Sequence, residues 1–219
     1  MKRLVVALAV FALAGSTAFA VVAGSPHDLR PISSNLTETC VMCHTPHQPT
    51  GQTTKPLWNH TLSSVASYGV YSSPTMNAVP TDIGGGSAVS NLCMSCHDGT
   101  VSVLALYNNP PAGAPLLLSP TPSGFNADGT LTAANSANVG TDLTNDHPVN
   151  FTYDAALAVA DGGLVTPDSA AYVDAAHTIP LYTGTLQCAS CHNPHDDTNG
   201  AFLRKSNTGS ALCITCHNK

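Results

Sequence analysis

All eight cysteines of this 219-residue chain fall into four copies of one short pattern. Each copy reads C-x-x-C-H, and we number them motifs 1 to 4 in chain order. The motifs are CVMCH (Cys40, Cys43, His44), CMSCH (Cys93, Cys96, His97), CASCH (Cys188, Cys191, His192) and CITCH (Cys213, Cys216, His217). A group bound by these cysteines would hold the chain at eight points, so it would strongly constrain the fold.

The spacing C-x-x-C-H is the attachment signature of c-type haem. The two thiols add to the two vinyl groups of one porphyrin, and the histidine ligates the iron from the proximal side. Zinc sites, disulfide frameworks and redox C-x-x-C pairs also use paired cysteines, but none requires a histidine after every second cysteine. We therefore predict four covalently bound haem c groups on the eight cysteines. Their proximal iron ligands are His44, His97, His192 and His217.

Six further histidines can supply the distal ligand of a six-coordinate iron, and they are His27, His47, His60, His147, His177 and His195. Two of them stand in CHTPH and CHNPH, three residues after a proximal histidine. Because a proline intervenes and the spacing is short, such a histidine cannot easily reach the far face of its own haem. We therefore expect His47 and His195 to ligate the irons of other haems.

Two more distal ligands complete a bis-histidine set. His147, in DHPV, is held extended by its proline, and His27, in SPHDL, lies on an N-terminal arm. His60, in LWNH, is a further candidate, although packing near Trp58 or a bond to a haem propionate would also explain it. His177 lies in a polar loop and is expected to be solvated.

The composition leaves little material for an ordinary core. Charged residues make up 9% of the chain, against about 25% in a typical domain, and aromatic residues make up 5%. Four large apolar macrocycles would supply the missing core. We predict mostly irregular coil with short helices at the motifs and little strand, organised around four covalently attached c-type haems. Motifs 1 and 3 share C-x-x-C-H-x-P-H, so residues 21–219 are predicted to be one tetrahaem domain with two unequal dihaem halves.

The first twenty residues are predicted to be a signal peptide. Lys2 and Arg3 precede an apolar run that is too short to span a bilayer, and small residues follow. Cleavage is expected after Ala20 or, as a second choice, after Ala23. The protein would then be exported without a membrane span. The net charge of −6 argues against nucleic acid as a partner.

Several motifs together resemble a known family. SPHDL, CVMCHTPH, LWNH, CMSCHDGT, DHPV and CASCHNPH are similar to the exported multihaem cytochromes of metal-reducing bacteria, most closely the OmcE-like tetrahaem cytochromes that stack into extracellular filaments, or nanowires. The resemblance implies bis-histidine haems in a continuous stack and a head-to-tail homopolymer. It also implies a distal histidine shared between subunits, with His47 as that ligand and His27 as the alternative.

The function implied is extracellular electron transfer, at the cell surface or beyond it, to other cytochromes or to acceptors such as metal oxides. Two alternatives stay open. A soluble periplasmic tetrahaem shuttle shares every haem argument and differs only in assembly. A multihaem reductase is less favoured, because an enzyme needs an open iron position and six spare histidines are present for four irons. The chain is therefore predicted to be an electron-transfer protein and not an enzyme.

Overall fold

The computed structural model describes residues 21–47, 57–86, 88–110, 114–120 and 122–218. The predicted signal peptide at residues 1–20 lies outside this part of the chain. Within the described ranges, no helix is long and apolar enough to cross a membrane.

Regular secondary structure is sparse. The helices are α1 (Ser90–His97), α2 (Ala155–Asp161) and α3 (Cys188–Cys191). The strands are β1 (Gly69–Val70), β2 (Asp142–Leu143), β3 (Phe151–Thr152) and β4 (Thr185–Leu186). Short 3₁₀ turns cover Arg30–Ile32, Cys40–Met42, Gly84–Gly86, Thr208–Ser210 and Cys213–Thr215. The predicted fold class of coil with short helices and little strand is confirmed, and every motif lies on a helix or a helical turn.

The strands form two small pairs that link distant parts of the chain. β1 runs parallel to β2, with Gly69 opposite Asp142. β3 runs antiparallel to β4, with Phe151 opposite Leu186. Each pair is only two residues long, so these ladders pin loops together and do not form a sheet that could carry a core.

Local capping explains why α2 and α3 begin where they do. The Asp154 carboxylate accepts a hydrogen bond from the Leu157 amide, and α2 ends at Gly162, whose φ of +69° is the left-handed value typical of a helix end. At α3, Gln187 and Ser190 cap each other's backbone amides. The second cap matters for function, because it sets the first turn of motif 3.

Three small apolar clusters replace a single large core. The first packs Met42 of motif 1 with leucines such as Leu104 and Leu131, and the motif cysteines Cys43 and Cys96 lie against it. The second is built around Phe151 and Tyr153. The third contains Tyr68 and Met94. Since every cluster includes or contacts a residue within a motif, the apolar side chains gather around the predicted haem attachment points.

Consecutive motifs are neighbours in space. Motifs 1 and 2 meet in the first cluster. Motifs 2 and 3 meet through Ser90, whose hydroxyl donates to the Gln187 side chain at 2.6 Å and accepts from the Cys188 amide at 3.0 Å. Motifs 3 and 4 are joined by adjacent residues, since the Arg204 amide donates to the Cys191 carbonyl at 2.9 Å and the Lys205 ammonium to the Thr215 hydroxyl at 2.9 Å. Each motif therefore has the next motif of the chain as a neighbour in space.

Candidate haem sites

The described residues include all eight cysteines, and none of these is in a disulfide. No group of three or more histidine, cysteine or carboxylate side chains in the described ranges converges as a bare metal ion would require, whereas structural zinc takes four such ligands. At motifs 1 and 4, burial raises the pKa of Cys43 to about 11 and that of Cys216 to about 11, whereas at motif 3 the pKa of Cys188 is lowered to about 7, within the range of a redox C-x-x-C. The histidine after every second cysteine is therefore the feature that favours haem attachment.

One contact between thiols crosses from motif 2 to motif 3. Interaction between the half-buried Cys93 and Cys188 thiols raises the pKa of Cys93 and lowers that of Cys188. The contact brings the first attachment points of two successive motifs together, in agreement with the Ser90 bridge.

The imidazole rings are arranged in pairs, which is the most informative feature of the structure. His44 faces His195 with ring centroids 5.9 Å apart. His97 faces His27 at 6.1 Å, and His217 faces His147 at 6.4 Å. Each pair joins the histidine of a C-x-x-C-H motif to a histidine predicted to be a distal ligand.

These separations fit an iron between the two rings. A histidine nitrogen lies about 2 Å from a first-row metal that it ligates and the ring centroid about 1 Å farther, so opposed ligands have centroids roughly 6 Å apart. The three spacings of 5.9, 6.1 and 6.4 Å agree with that value. We call the sites built on motifs 1 to 4 sites 1 to 4. Sites 1, 2 and 4 thus each have an opposed imidazole within the chain.

Backbone carbonyls orient several of these rings. The Nδ1 atom of His97 donates to the Ala137 carbonyl at 2.7 Å, and that of His192 donates to the Ala201 carbonyl at 2.8 Å. His147 donates in the same way to the Pro148 carbonyl at 3.0 Å. When Nδ1 is the donor, a neutral ring presents Nε2 as its lone pair. These contacts fix the tautomer that ligates through Nε2, as outer hydrogen bonds do for metal-bound histidines.

The protonation state of the distal rings is also suited to ligation. Burial lowers the pKa of His27. Burial, followed by the neighbouring His44, lowers the pKa of His195. Both shifts favour the neutral imidazole, which is the form that binds a metal.

Site 3 differs from the other three. Among the described residues, no imidazole ring faces His192, which is exposed. His47, the remaining predicted distal ligand, is also exposed, and its ring is opposed to no proximal histidine in that part of the chain. Three of the four predicted distal ligands therefore lie opposite a proximal histidine. His47 and His192 have no opposed imidazole in the described ranges.

The two remaining histidines have other surroundings. His60 is 1% exposed, and its Nε2 atom lies 3.4 Å from the Cys96 sulfur. It contacts an attachment cysteine of site 2, and no proximal imidazole is opposite it in the described ranges. His177 stacks on Tyr172 at 4.3 Å and lies 3.6 Å from the Asp168 carboxylate, at a surface position where we expect a solvated side chain.

One buried polar atom near site 1 is left without a partner. The Trp58 indole N–H is buried and has no hydrogen-bond acceptor among the described residues, although an unpaired buried donor is rare in folded proteins. The ring of Trp58 lies edge-on to His44, with centroids 6.4 Å apart. A haem propionate at site 1 is the kind of group that would satisfy this donor.

Comparison with known proteins agrees with the geometry. Residues 180–219 match the family model described as the doubled CXXCH motif. The match covers motifs 3 and 4 and points to a multihaem c-type cytochrome with covalently bound haem. No curated protein matches the chain. The resemblance to filament-forming cytochromes is therefore carried by the sequence motifs alone.

The groups that orient the ligands were not predicted from the sequence. Phe202, which stacks on His27 at 4.1 Å, lies in no recognisable motif. The carbonyls of Ala137 and Ala201 have no sequence signal at all, because every residue carries a carbonyl. The only usable hint at this position was the Gly200 turn that follows CHNPH, which predicts a loop folding back on motif 3.

Proposed function

We propose that this chain is an exported tetrahaem cytochrome of the OmcE-like kind, which polymerises head to tail into an electron-conducting filament. The observation that carries the proposal is the unequal distribution of imidazoles. Three proximal histidines have an opposed ring within the chain, whereas His192 and His47 are both exposed and unopposed among the described residues.

The proposed ligand sets follow from the ring pairs. His44 and His195 would hold the iron of site 1, His97 and His27 that of site 2, and His217 and His147 that of site 4. Each haem supplies an iron that changes reversibly between two oxidation states when bound. The residues of the chain would hold each centre beside the next one along the chain, because the Met42 cluster, the Ser90 bridge and the Arg204–Lys205 segment join successive motifs.

Site 3 is proposed to be completed by His47 of a second copy. Motifs 1 and 3 share C-x-x-C-H-x-P-H, and the second histidine of motif 3 already faces the proximal histidine of motif 1. The reciprocal contact would place the second histidine of motif 1, His47, opposite the proximal histidine of motif 3, His192. Between two copies, motif 1 of one subunit would meet motif 3 of the next, which is a head-to-tail contact. When such contacts do not close into a ring, they produce an open filament.

Local contacts support His47 as a presented ligand. Its carbonyl accepts hydrogen bonds from the Thr45 hydroxyl at 2.8 Å and from the Asn108 side chain at 3.3 Å. The backbone amide of Asn108 in turn donates to the side-chain oxygen of Asn59 at 2.9 Å, and Asn59 is fully buried. The backbone of His47 is thus tied to the body of the protein while its side chain remains at the surface.

The same ligand count argues for electron transfer over catalysis at iron. With two imidazoles on every iron, substrate has no open coordination position. We place the protein outside the cell, where a filament could reach other cytochromes or metal oxides. A periplasmic shuttle would use the same three internal pairs but would leave His47 without a role between subunits.

A complementation experiment tests the shared ligand directly. The His47→Ala variant can accept a histidine at site 3 but cannot offer one, whereas His192→Ala can offer one but has lost the acceptor site. Each haem-loaded variant alone is expected to remain monomeric in size-exclusion chromatography with light scattering. An equimolar mixture is expected to give discrete dimers with a single junction, and the wild-type protein is expected to give longer assemblies.

A His177→Ala variant is the matched control, because it removes an exposed histidine that faces no proximal ligand. It should assemble like the wild-type protein. Wild-type protein that stays monomeric at high concentration, or a His47→Ala variant that still forms filaments, would contradict the shared ligand. The first of these results would favour the diffusible shuttle.

A further inference from the structure

The loop after motif 3 has an unusual backbone. Ala201 and Phe202 both have left-handed φ angles, +48° and +56°, directly after Gly200 at +76°. Non-glycine residues seldom adopt this conformation, and when they do so the surrounding structure must hold them there. We call residues 193–204 the CHNPH loop.

Two hydrogen bonds to the backbone of Phe202 hold the strained Ala201–Phe202 dipeptide in place. The Asp197 carboxylate accepts from the Phe202 amide at 2.7 Å, and the Phe202 carbonyl accepts from the Asn193 amide at 2.7 Å. As a result Phe202 is only 7% exposed, although it lies in a surface loop. The conformation turns its ring inward.

The ring of Phe202 lies flat against His27. Their centroids are 4.1 Å apart and their planes differ by 14°. The His27 ring is otherwise fixed by a long hydrogen bond from Nδ1 to the Pro194 carbonyl, at 3.4 Å. Because His27 comes from the N-terminal arm, its orientation toward His97, 6.1 Å away, depends strongly on the flat face that Phe202 provides.

The CHNPH loop also touches the ligands of two other sites. His195, within the loop, faces His44 of site 1. The Ala201 carbonyl, next to Phe202, accepts from Nδ1 of His192 at site 3. One segment of twelve residues therefore sets ligands at sites 1, 2 and 3, and the Ala201–Phe202 turn links the last two.

We infer that Phe202 is a positioning residue for the distal ligand of site 2, acting through its stack on His27. This inference rests on the proposed ligand set of site 2. It predicts that loss of the aromatic face releases His27 from its iron without loss of the covalently bound haem. Removal of a large side chain elsewhere in the protein would not release His27.

The test uses the full haem-loaded chain and the Phe202→Ala variant. Haem content is measured by absorbance of the pyridine complex, and coordination by the high-spin fraction and by carbon monoxide binding to the reduced protein. We expect four haems per chain, with one of the four becoming largely high-spin and able to bind carbon monoxide. Phe202→Tyr keeps the aromatic face and should stay low-spin, while Phe202→Leu, which keeps bulk but no flat face, should show an intermediate fraction.

Phe151→Ala is the matched control. Phe151 is 6% exposed and belongs to the second cluster, so its loss should lower stability without exposing an iron. If Phe202→Ala or Phe202→Leu stays fully low-spin, or if Phe151→Ala exposes a haem equally well, Phe202 is only a packing residue. Should Phe202→Ala not fold, the leucine variant decides between these outcomes.

The His27→Ala variant tests the ligand set of site 2 separately from the positioning role of Phe202. It is expected to convert one haem completely to the carbon monoxide-binding form. If His27→Ala leaves every haem low-spin, the assignment of site 2 is wrong. If it exposes a haem while the Phe202 variants do not, only the positioning role is overturned.

Discussion

The sequences CHTPH and CHNPH share four of five residues, yet their second histidines are placed very differently. His195 faces the motif 1 histidine within the same chain at 5.9 Å, whereas the ring of His47 lies opposite no proximal histidine among the described residues. The contrast shows that this local pattern does not by itself decide which proximal histidine its second histidine faces. That choice depends on what packs around each motif.

The N-terminal arm accounts for much of the difference. At CHNPH, the Val21 amide donates to the His195 carbonyl at 2.8 Å, and His27 donates to the Pro194 carbonyl. At CHTPH, the His47 carbonyl is instead held by Thr45 and Asn108. The CHNPH backbone is thus held by the N-terminal arm, whereas the CHTPH backbone is held by Thr45 and Asn108.

The largest expected effect comes from removing the internal histidine. His195→Ala should leave site 1 with one imidazole, so that one of the four haems binds carbon monoxide at every protein concentration. His47→Ala should expose site 3 instead and abolish assembly. Both variants should bind carbon monoxide, so light scattering separates them, because only His47→Ala should lose assembly. A His195→Ala protein that remains fully low-spin would contradict the comparison.

The ring planes provide a second and subtler distinction. At site 1 the two imidazoles are almost parallel, with an angle of 14°, whereas at sites 2 and 4 they cross at 65° and 75°. Parallel ligand planes split the iron d orbitals unequally, while crossed planes leave them nearly degenerate. Electron paramagnetic resonance of the oxidised protein should therefore contain one rhombic low-spin signal and at least two strongly anisotropic ones.

The same variants assign these signals. His195→Ala should remove the rhombic signal of site 1, and His27→Ala should remove one of the anisotropic signals. Loss of an anisotropic signal in His195→Ala would mean that the ring angles in the structure are not those of the haem-loaded protein.

A smaller effect is expected from the residue that holds the His47 backbone. Asn108→Ala removes a neutral hydrogen bond to the His47 carbonyl, which is worth about 1 kcal/mol, so assembly should weaken by about fivefold. Asn126→Ala is the control, because its side chain donates to Thr130 within its own turn. Sedimentation over a concentration series measures the difference, and equal assembly of the two variants would argue against a role for Asn108.

The smallest effect is expected at His177. Its side chain is 57% exposed and 3.6 Å from the Asp168 carboxylate, and exposed ion pairs contribute less than about 1 kcal/mol. His177→Ala should keep every low-spin signal and change thermal stability by only a few degrees. Loss of a low-spin signal in this variant would show that the distal ligands have been assigned to the wrong histidines.

Several features of the site could be predicted from the sequence because they depend on bonds between near neighbours. The C-x-x-C-H spacing determines where haem attaches and which histidine is proximal. The proline between the two histidines of CHNPH keeps His195 from its own iron, and the structure places His195 against another motif. Low charge and few aromatic residues predicted a chain of coil and short helices, which the structure confirms.

Other features depend on contacts between residues far apart in the chain, so they became visible only in the folded protein. The pairing of His27 with His97 spans seventy positions, and no spacing rule selects it from the alternatives. The Phe202 stack requires a left-handed backbone that its neighbours impose, and the orienting carbonyls have no side-chain identity to read. The attachment chemistry follows from the sequence alone, since two thiols and a histidine act within five residues, while the fold sets which proximal histidine each remaining histidine faces.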